Sequence, residues 1–166
     1  MISLIVAMDK NNGIGNKNKL LAHISEDLRY FKRVTDGNTI VMGYNTYMSL
    51  PKRPLPNRRN IVLTTKDIKL EGAVVVNSIE ELLKLLNTEE ETFICGGSSI
   101  YNQMLPYADK LYITHIFDEF EADTYFPEIT DEWEISESFC HKENINHKHP
   151  HISVSYTHLT LPTIYS

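Results

Sequence analysis

The chain has 166 residues, 42% hydrophobic and 23% charged, which is the make-up of one globular domain large enough to close its own core. A net charge of −6 and a pI near 5.6 argue against nucleic acid or an anionic membrane as partner, because neither finds a basic face to grip. Two distant cysteines, Cys95 and Cys140, rule out a disulfide framework and a zinc cluster, and no apolar run approaches the roughly 20 residues that span a bilayer. The apolar start, Met1 to Met8, lacks a basic leader and runs into polar residues, so it does not read as a signal peptide. The expectation is a reduced, cytoplasmic, single-domain protein.

In chain order, Ile2–Met8 is a continuous apolar run closed by Asp9-Lys10-Asn11-Asn12-Gly13, the pattern of a strand buried on both faces. Ser25 opens a helix as its N-cap and the helix runs to about Val34. Thr39–Met42, Ile61–Leu63, Ala73–Val76 and Thr92–Cys95 repeat the character of the first strand. Ser78-Ile79-Glu80-Glu81 is a capping box ahead of Leu82, Leu83, Leu85 and Leu86, and Ser98–Leu105 is a third helix stopped by Pro106. Strands alternating with helices predict an α/β fold with a largely parallel sheet. The last third has a different pattern. Leu111–Ile116, Trp133–Cys140 and Ile152 to about Thr157 are strands with no helix between them, which predicts an antiparallel edge.

Five stretches can carry chemistry. Asp27 shares a helix face with Tyr30, Phe31 and Val34 at i+3, i+4 and i+7, while Glu26, Arg29 and Lys32 point elsewhere. An acid on an apolar face needs a partner or an altered pKa; the competing reading is a surface acid that complements the helix dipole. Cys95-Gly96-Gly97-Ser98-Ser99-Ile100-Tyr101 joins a strand to a helix, where glycines and free amides let a phosphate approach, although it also fits a plain tight turn. Gly13-Ile14-Gly15 lacks the third glycine of a dinucleotide fingerprint and leads into Lys17-Asn18-Lys19, so it reads as a mobile loop that covers a site. Lys52 to Arg59 is a basic loop stiffened by Pro54 and Pro56, suited to a carboxylate clamp or to nothing more than a solvated turn. His147-Lys148-His149-Pro150-His151 fits no standard metal spacing and reads as a surface hairpin turn, with no metal expected.

The order of these pieces resembles bacterial dihydrofolate reductases. The match runs over about residues 1 to 152 through the N-terminal Ile-Ser-Leu-Ile-Val-Ala strand, Gly-Ile-Gly, Glu26-Asp27-Leu28 with Phe31-Lys32, and Val41-Met42-Gly43 with Thr46. It continues through Arg53-Pro54-Leu55-Pro56 with Arg58, Ile94-Cys95-Gly96-Gly97 with Ile100-Tyr101, and Leu111 to Ile116. The resemblance implies an eight-stranded, mostly parallel sheet with an antiparallel C-terminal edge and helices on both faces, in a domain of residues 1–153 whose segment from about 38 to 86 binds adenosine. It also implies hydride transfer from NADPH to C6 of 7,8-dihydrofolate with protonation at N5, in support of one-carbon metabolism, by a cytoplasmic monomer that is a target of antifolates.

Carried over by position, Asp27 is the catalytic acid, braced by the Thr114 hydroxyl, with Leu20 on the loop over the reacting centre. Ile5, Val6, Ala7, Leu28, Phe31, Leu50 and Leu55 wall the folate, Cys95 and Tyr101 lie near nicotinamide and pterin, and Arg58 clamps the glutamate carboxylate. For the cofactor, Ala7, Ile14, Gly15 and Leu20 meet the nicotinamide end. Gly43, Tyr44, Asn45 and Thr46 together with Cys95, Gly96, Gly97, Ser98, Ser99, Ile100 and Tyr101 receive the pyrophosphate, and Leu63, Thr64, Thr65 and Lys66 surround the ribose 2′-phosphate. The family also has a cis peptide at this Gly-Gly.

The chain departs from the family pattern in several places. Leu21-Ala22 stands where Pro-Trp is usual, which bears on water placement and rate. Ser25 replaces a frequent proline, and Tyr44, Asn45 and Ser99 stand where cationic or phosphate-binding residues are frequent. Two rivals remain open: a pyrimidine or pterin reductase on the same fold, and a non-catalytic folate-binding protein. The segment from Val154 to Thr163 matches, codon for codon, the transposase adapter string GTCTCTTATACACATCTGACGCTGCCGACG, so residues 154–166 read as a non-native tail. Its alternation, with Ile152, Val154 and Tyr156 on one face, still allows an edge strand.

Overall fold

The computed structural model describes residues 1–17, 19–22, 24–86, 89–139 and 149–159. Eight strands form one sheet in the order β5-β4-β3-β6-β1-β7-β10-β9: β1 (Ile2–Met8), β3 (Thr39–Gly43), β4 (Arg59–Leu63), β5 (Ala73–Val76), β6 (Thr92–Ile94), β7 (Lys110–Ile116), β9 (Trp133–Phe139) and β10 (His151–His158). The pairs from β5 to β7 are parallel, and β10 runs antiparallel to both β7 and β9. Helices α1 (Ser25–Thr35), α2 (Tyr44–Ser49), α3 (Ile79–Leu85) and α4 (Ser98–Met104) complete the fold.

The continuous apolar strands are explained by burial on both faces. Leu4, Val6, Val41, Ile61, Ile94, Leu111 and Ile113 pack with Leu82, Ile100 and Met104 in one cluster. Ile5, Ile40, Met42, Val62 and Phe93 form the other, with Phe31 and Val34 of α1 packed against it. Alternate residues of one strand thus serve opposite layers.

Several local expectations need correction. Ser25 is the first residue of α1, not its cap; Ile24 occupies the N-cap and brings no side-chain acceptor. The capping box of α3 does form: Ser78 accepts from the Glu81 amide at 3.0 Å, while Glu81 accepts from the Asn77 amide at 3.0 Å. Helix α2 carries no apolar period and was not legible. Gly13-Ile14-Gly15 is a short strand, β2, paired with β8 (Thr124–Tyr125), not an unpaired loop. Asp9 anchors it by accepting from the Gly13 amide at 2.8 Å and the Phe120 amide at 3.0 Å. Strand β10 is no edge: it lies between β7 and β9, with Val154 and Ser155 buried. Cys140 lies outside the described residues. Among the described residues no helix is long and apolar enough to cross a membrane.

Candidate active site

Open α/β sheets bind ligands beyond the carboxyl ends of their parallel strands, where neighbouring connections diverge. Here β1 and β6 pair only over Ile2–Leu4 and Thr92–Ile94. Past that point the strands part, and the Tyr101 hydroxyl donates to the Ile5 carbonyl at 2.7 Å. Burial raises the Tyr101 phenol well above its ordinary range, so it is a neutral donor. Most of the residues expected at a site lie around this opening.

On one side stands Asp27, in the first turn of α1 and partly buried. Its Oδ1 accepts from Thr114 Oγ1 at 2.6 Å. Thr114 is buried on β7 opposite Ala7 of β1, so the brace comes from the rigid centre of the sheet. Tyr30, one turn along α1, has its phenol pushed up to about 12, first by burial and then by the Tyr112 and Asp27 charges. Phe31, Leu50 and Leu55 pack on the same cluster as Ile5, whereas Leu28 is exposed at the rim. Glu26, expected to point away, is in fact buried, with Oε2 3.8 Å from His151 Nε2.

Arg58 follows the cis Arg53–Pro54 bond and is tied to its own loop. Its Nε donates to the Pro56 carbonyl at 2.9 Å and its Nη1 to Thr35 Oγ1 at 3.2 Å. The remaining guanidinium donors are available to a carboxylate. Thr35 closes α1 and was not singled out, since a lone helical threonine carries no signal.

On the other side, the Gly96–Gly97 peptide is cis and Gly96 has φ +117°, a region in which a side chain is strained. The Gly96 carbonyl accepts from the Gly43 amide at 2.9 Å, locking the β3 and β6 ends together. A Cβ on Gly43 would crowd Ile100 at 3.3 Å, while one on Gly97 would meet Thr46 Oγ1 at an ordinary contact distance of 3.5 Å, so close packing favours glycine at Gly43 and backbone conformation favours it at Gly96. Helices α2 and α4 start there, bringing Tyr44, Asn45, Thr46, Ser98 and Ser99 to one opening. Cys95 precedes the glycine pair and is partly buried; desolvation pushes its thiol up to about 12, and it donates to the Phe93 carbonyl at 3.5 Å.

Farther along, a cleft of about 420 Å³ is lined by Lys66, Asp67, Ile68, Lys69, Leu70, Ala73, Val75 and Asn77. The Lys66 ammonium lies 3.9 Å from the centre of the Tyr44 ring, which joins two expected phosphate-reading positions. Asn77, missed in the sequence, holds this loop by donating to the Thr64 and Lys66 carbonyls at 2.7 and 3.2 Å. Leu20, expected over the centre, is 63% exposed, while Ile14 is partly buried. The histidine run is not a surface turn throughout: His149 contacts Asp118 Oδ2 at 2.9 Å, and His151 is fully buried. His147 and Lys148 lie outside the described residues.

A braced carboxylate and a glycine-lined turn at the carboxyl ends of the parallel strands mark the ligand opening of an α/β protein. The family profile for dihydrofolate reductase matches residues 1–158. The dihydrofolate reductase of Bacillus subtilis (strain 168) is 46% identical over 140 residues, covering 83% of each chain. That of Staphylococcus aureus (strain Mu50) is 39% identical over 152 residues, covering 90% of this chain and 93% of its own. The solved structure of dihydrofolate reductase from Enterococcus faecalis complexed with NADP(H) and RAB-propyl superposes with a TM-score of 0.88 at 38% identity, covering 95% of this chain and 96% of that one. The chain belongs to the dihydrofolate reductase family.

Proposed function

We propose that the chain reduces 7,8-dihydrofolate to 5,6,7,8-tetrahydrofolate with NADPH, and that Asp27 is the acid of the reaction. The observation that carries this reading is the partly buried carboxylate of Asp27, bonded to Thr114 at 2.6 Å and set across the strand opening from the Gly96–Gly97 cradle. When bound, NADPH would supply the hydride for folate C6. The glycine cradle with Thr46, Ser98 and Ser99 would hold its pyrophosphate, and Thr64, Thr65 and Lys66 would meet its 2′-phosphate.

The chain's own groups do the rest. Thr114 donates to Oδ1 of Asp27 and fixes the carboxylate plane that meets the pterin amidine. A negative charge held in this partly dry place favours the protonated pterin, so N5 takes its proton more readily, by way of water. Ile5, Phe31, Leu50 and Leu55 exclude water from the pterin and benzoyl rings. Arg58, already aimed by Pro56 and Thr35, reads the glutamate carboxylate. Leu20 and Ile14 cover the reacting centre from a loop that β2 and β8 hold in place.

The protein acts as a cytoplasmic monomer, and antifolates that present an amidine edge to Asp27 inhibit it. The test is NADPH oxidation with dihydrofolate, followed at about 340 nm. Binding without turnover would make the chain a folate-binding protein, and turnover confined to another pterin or pyrimidine would make it a related reductase.

Residues 154–166 are foreign to the natural protein on this reading, supported by the codon match of residues 154–163 to adapter DNA. Val154 and Ser155 are nevertheless buried, and Tyr156 Oη lies 2.7 Å from His115 Nε2, so residues 154–158 serve as part of β10. Recovery of the natural locus by independent long reads with this same tail would overturn the reading.

A further inference from the structure

Asn77 lies between β5 and α3 and holds the turn that follows β4. Its Nδ2 donates to the Thr64 carbonyl at 2.7 Å and to the Lys66 carbonyl at 3.2 Å. A side-chain amide nitrogen carries two hydrogens, so both are spent on this turn and none is left for a ligand. Asn77 lines the cleft of about 420 Å³ together with Lys66, yet its influence on a molecule bound there runs through residues 64–66.

The side chain is itself fixed from behind. Glu81 Oε2 accepts from the Asn77 backbone amide at 3.0 Å, and Ser78 Oγ accepts from the Glu81 amide at 3.0 Å. The capped start of α3 thus sets where the Asn77 side chain begins. The parallel pairing of Leu63 with Val76 sets how far it is from the turn.

The Thr64 amide donates to the Val76 carbonyl at 2.9 Å and the Lys66 amide to Thr64 Oγ1 at 3.2 Å, so these two donors are used inside the fold. Across a trans peptide the C=O and N–H point in opposite directions. The Thr64 carbonyl is drawn to Asn77, so the Thr65 amide is turned away from it. Thr65 is exposed, and among the described residues no hydrogen bond takes up its amide or its hydroxyl. The Lys66 ammonium, on the next residue, lies 3.9 Å from the centre of the Tyr44 ring. An outward N–H, a hydroxyl and an ammonium on adjacent residues form a donor set for a small dianion. On the wall of the cleft, Lys66 and Lys69 outnumber the acid Asp67.

We propose that Asn77 is a positioning residue for the preference for NADPH over NADH, an inference that rests on the assignment of Thr64, Thr65 and Lys66 to the 2′-phosphate. By holding two carbonyls of the turn on its inner side, Asn77 keeps the Thr65 amide on the outer side with Lys66.

The test uses the full chain as wild type and as Asn77→Leu, which keeps the bulk and the neutral charge but has no donor. Two quantities are followed. One is the dissociation constant of NADH divided by that of NADPH, read by fluorescence titration without folate. The other is kcat/KM for NADPH divided by that for NADH. The two cofactors differ only in the 2′-phosphate. In Asn77→Leu both ratios fall by about fivefold, while the affinity for NADH stays at its wild-type value. Should Asn77→Leu fail to fold, Asn77→Ser replaces it; its hydroxyl has one hydrogen and serves at most one carbonyl, so both ratios fall in the same direction. Unchanged ratios overturn the proposal, and so does equal weakening of NADPH and NADH, which marks a general loosening of the cleft. A wild type without preference for NADPH overturns the proposal together with the assignment of residues 64–66. A wild type that binds NADPH but does not oxidise it with dihydrofolate overturns the functional reading instead, while the binding ratio still decides the role of Asn77.

Discussion

At the proposed pterin end of the site the polar groups are partly buried and held by fixed partners in the sheet, in α1 and in the loop before β4. Asp27 is bonded to Thr114 on β7, and Arg58 is tied to Pro56 and Thr35. At the adenosine end, Lys66 and Thr65 are exposed, and Lys66 rests on a neighbouring ring, 3.9 Å from the centre of Tyr44. The difference has an electrostatic meaning. A charge with few waters around it is felt strongly by a reacting atom, whereas an exposed charge is screened and mainly selects what binds. Substitutions at the first end should alter chemistry and its pH dependence; those at the second should alter choice of cofactor.

The most severe way to break the comparison is Asp27→Asn. The amide keeps the shape but loses the charge, and turnover near neutral pH should fall by roughly 10²–10⁴. Activity should recover partly at low pH, where solvent protonates the substrate. A variant with wild-type turnover between about pH 7 and 8 would remove Asp27 from its assigned role.

Arg58→Leu comes next. Loss of an aimed, charge-assisted contact should weaken folate binding by on the order of 2–4 kcal/mol. The effect should appear in KM for dihydrofolate and hardly in KM for NADPH; equal effects on both would show that Arg58 holds the loop rather than the ligand.

Tyr101→Phe tests the seam between the two ends. It leaves the Ile5 carbonyl without its donor in a buried place, and stability should drop by about 1–3 kcal/mol in urea unfolding. A variant as stable as wild type would mean that water replaces the hydroxyl.

Lys66→Ala should have the smallest effect. The ratio of kcat/KM for NADPH to that for NADH should fall about tenfold, because one exposed charge-assisted contact is lost. Tyr44→Arg should widen the same ratio. An unchanged preference in Lys66→Ala would place recognition of the 2′-phosphate on other residues.

Among the described residues, the amino-acid order by itself determined the eight strands of the main sheet and three of the four α-helices. The reason is local: apolar runs between polar breaks, a capping box at Ser78 and a glycine pair after Ile94 are properties of short segments. It did not reveal α2, whose Tyr44–Ser49 segment has no apolar period, nor the pairing of β2 with β8, which joins residues far apart in the chain. It also misplaced Glu26 and His151. Helical spacing puts Glu26 off the apolar face, and alternating histidines look like a solvated turn. Only the packing of α1 against β10 brings the two side chains together and buries them. The same holds for Thr35 beneath Arg58 and Asn77 behind Lys66. Each is a common polar residue whose role comes from the group that the fold sets beside it. Pair contacts of this kind depend on strand register and helix docking, and these are decided by the whole core rather than by any window of sequence.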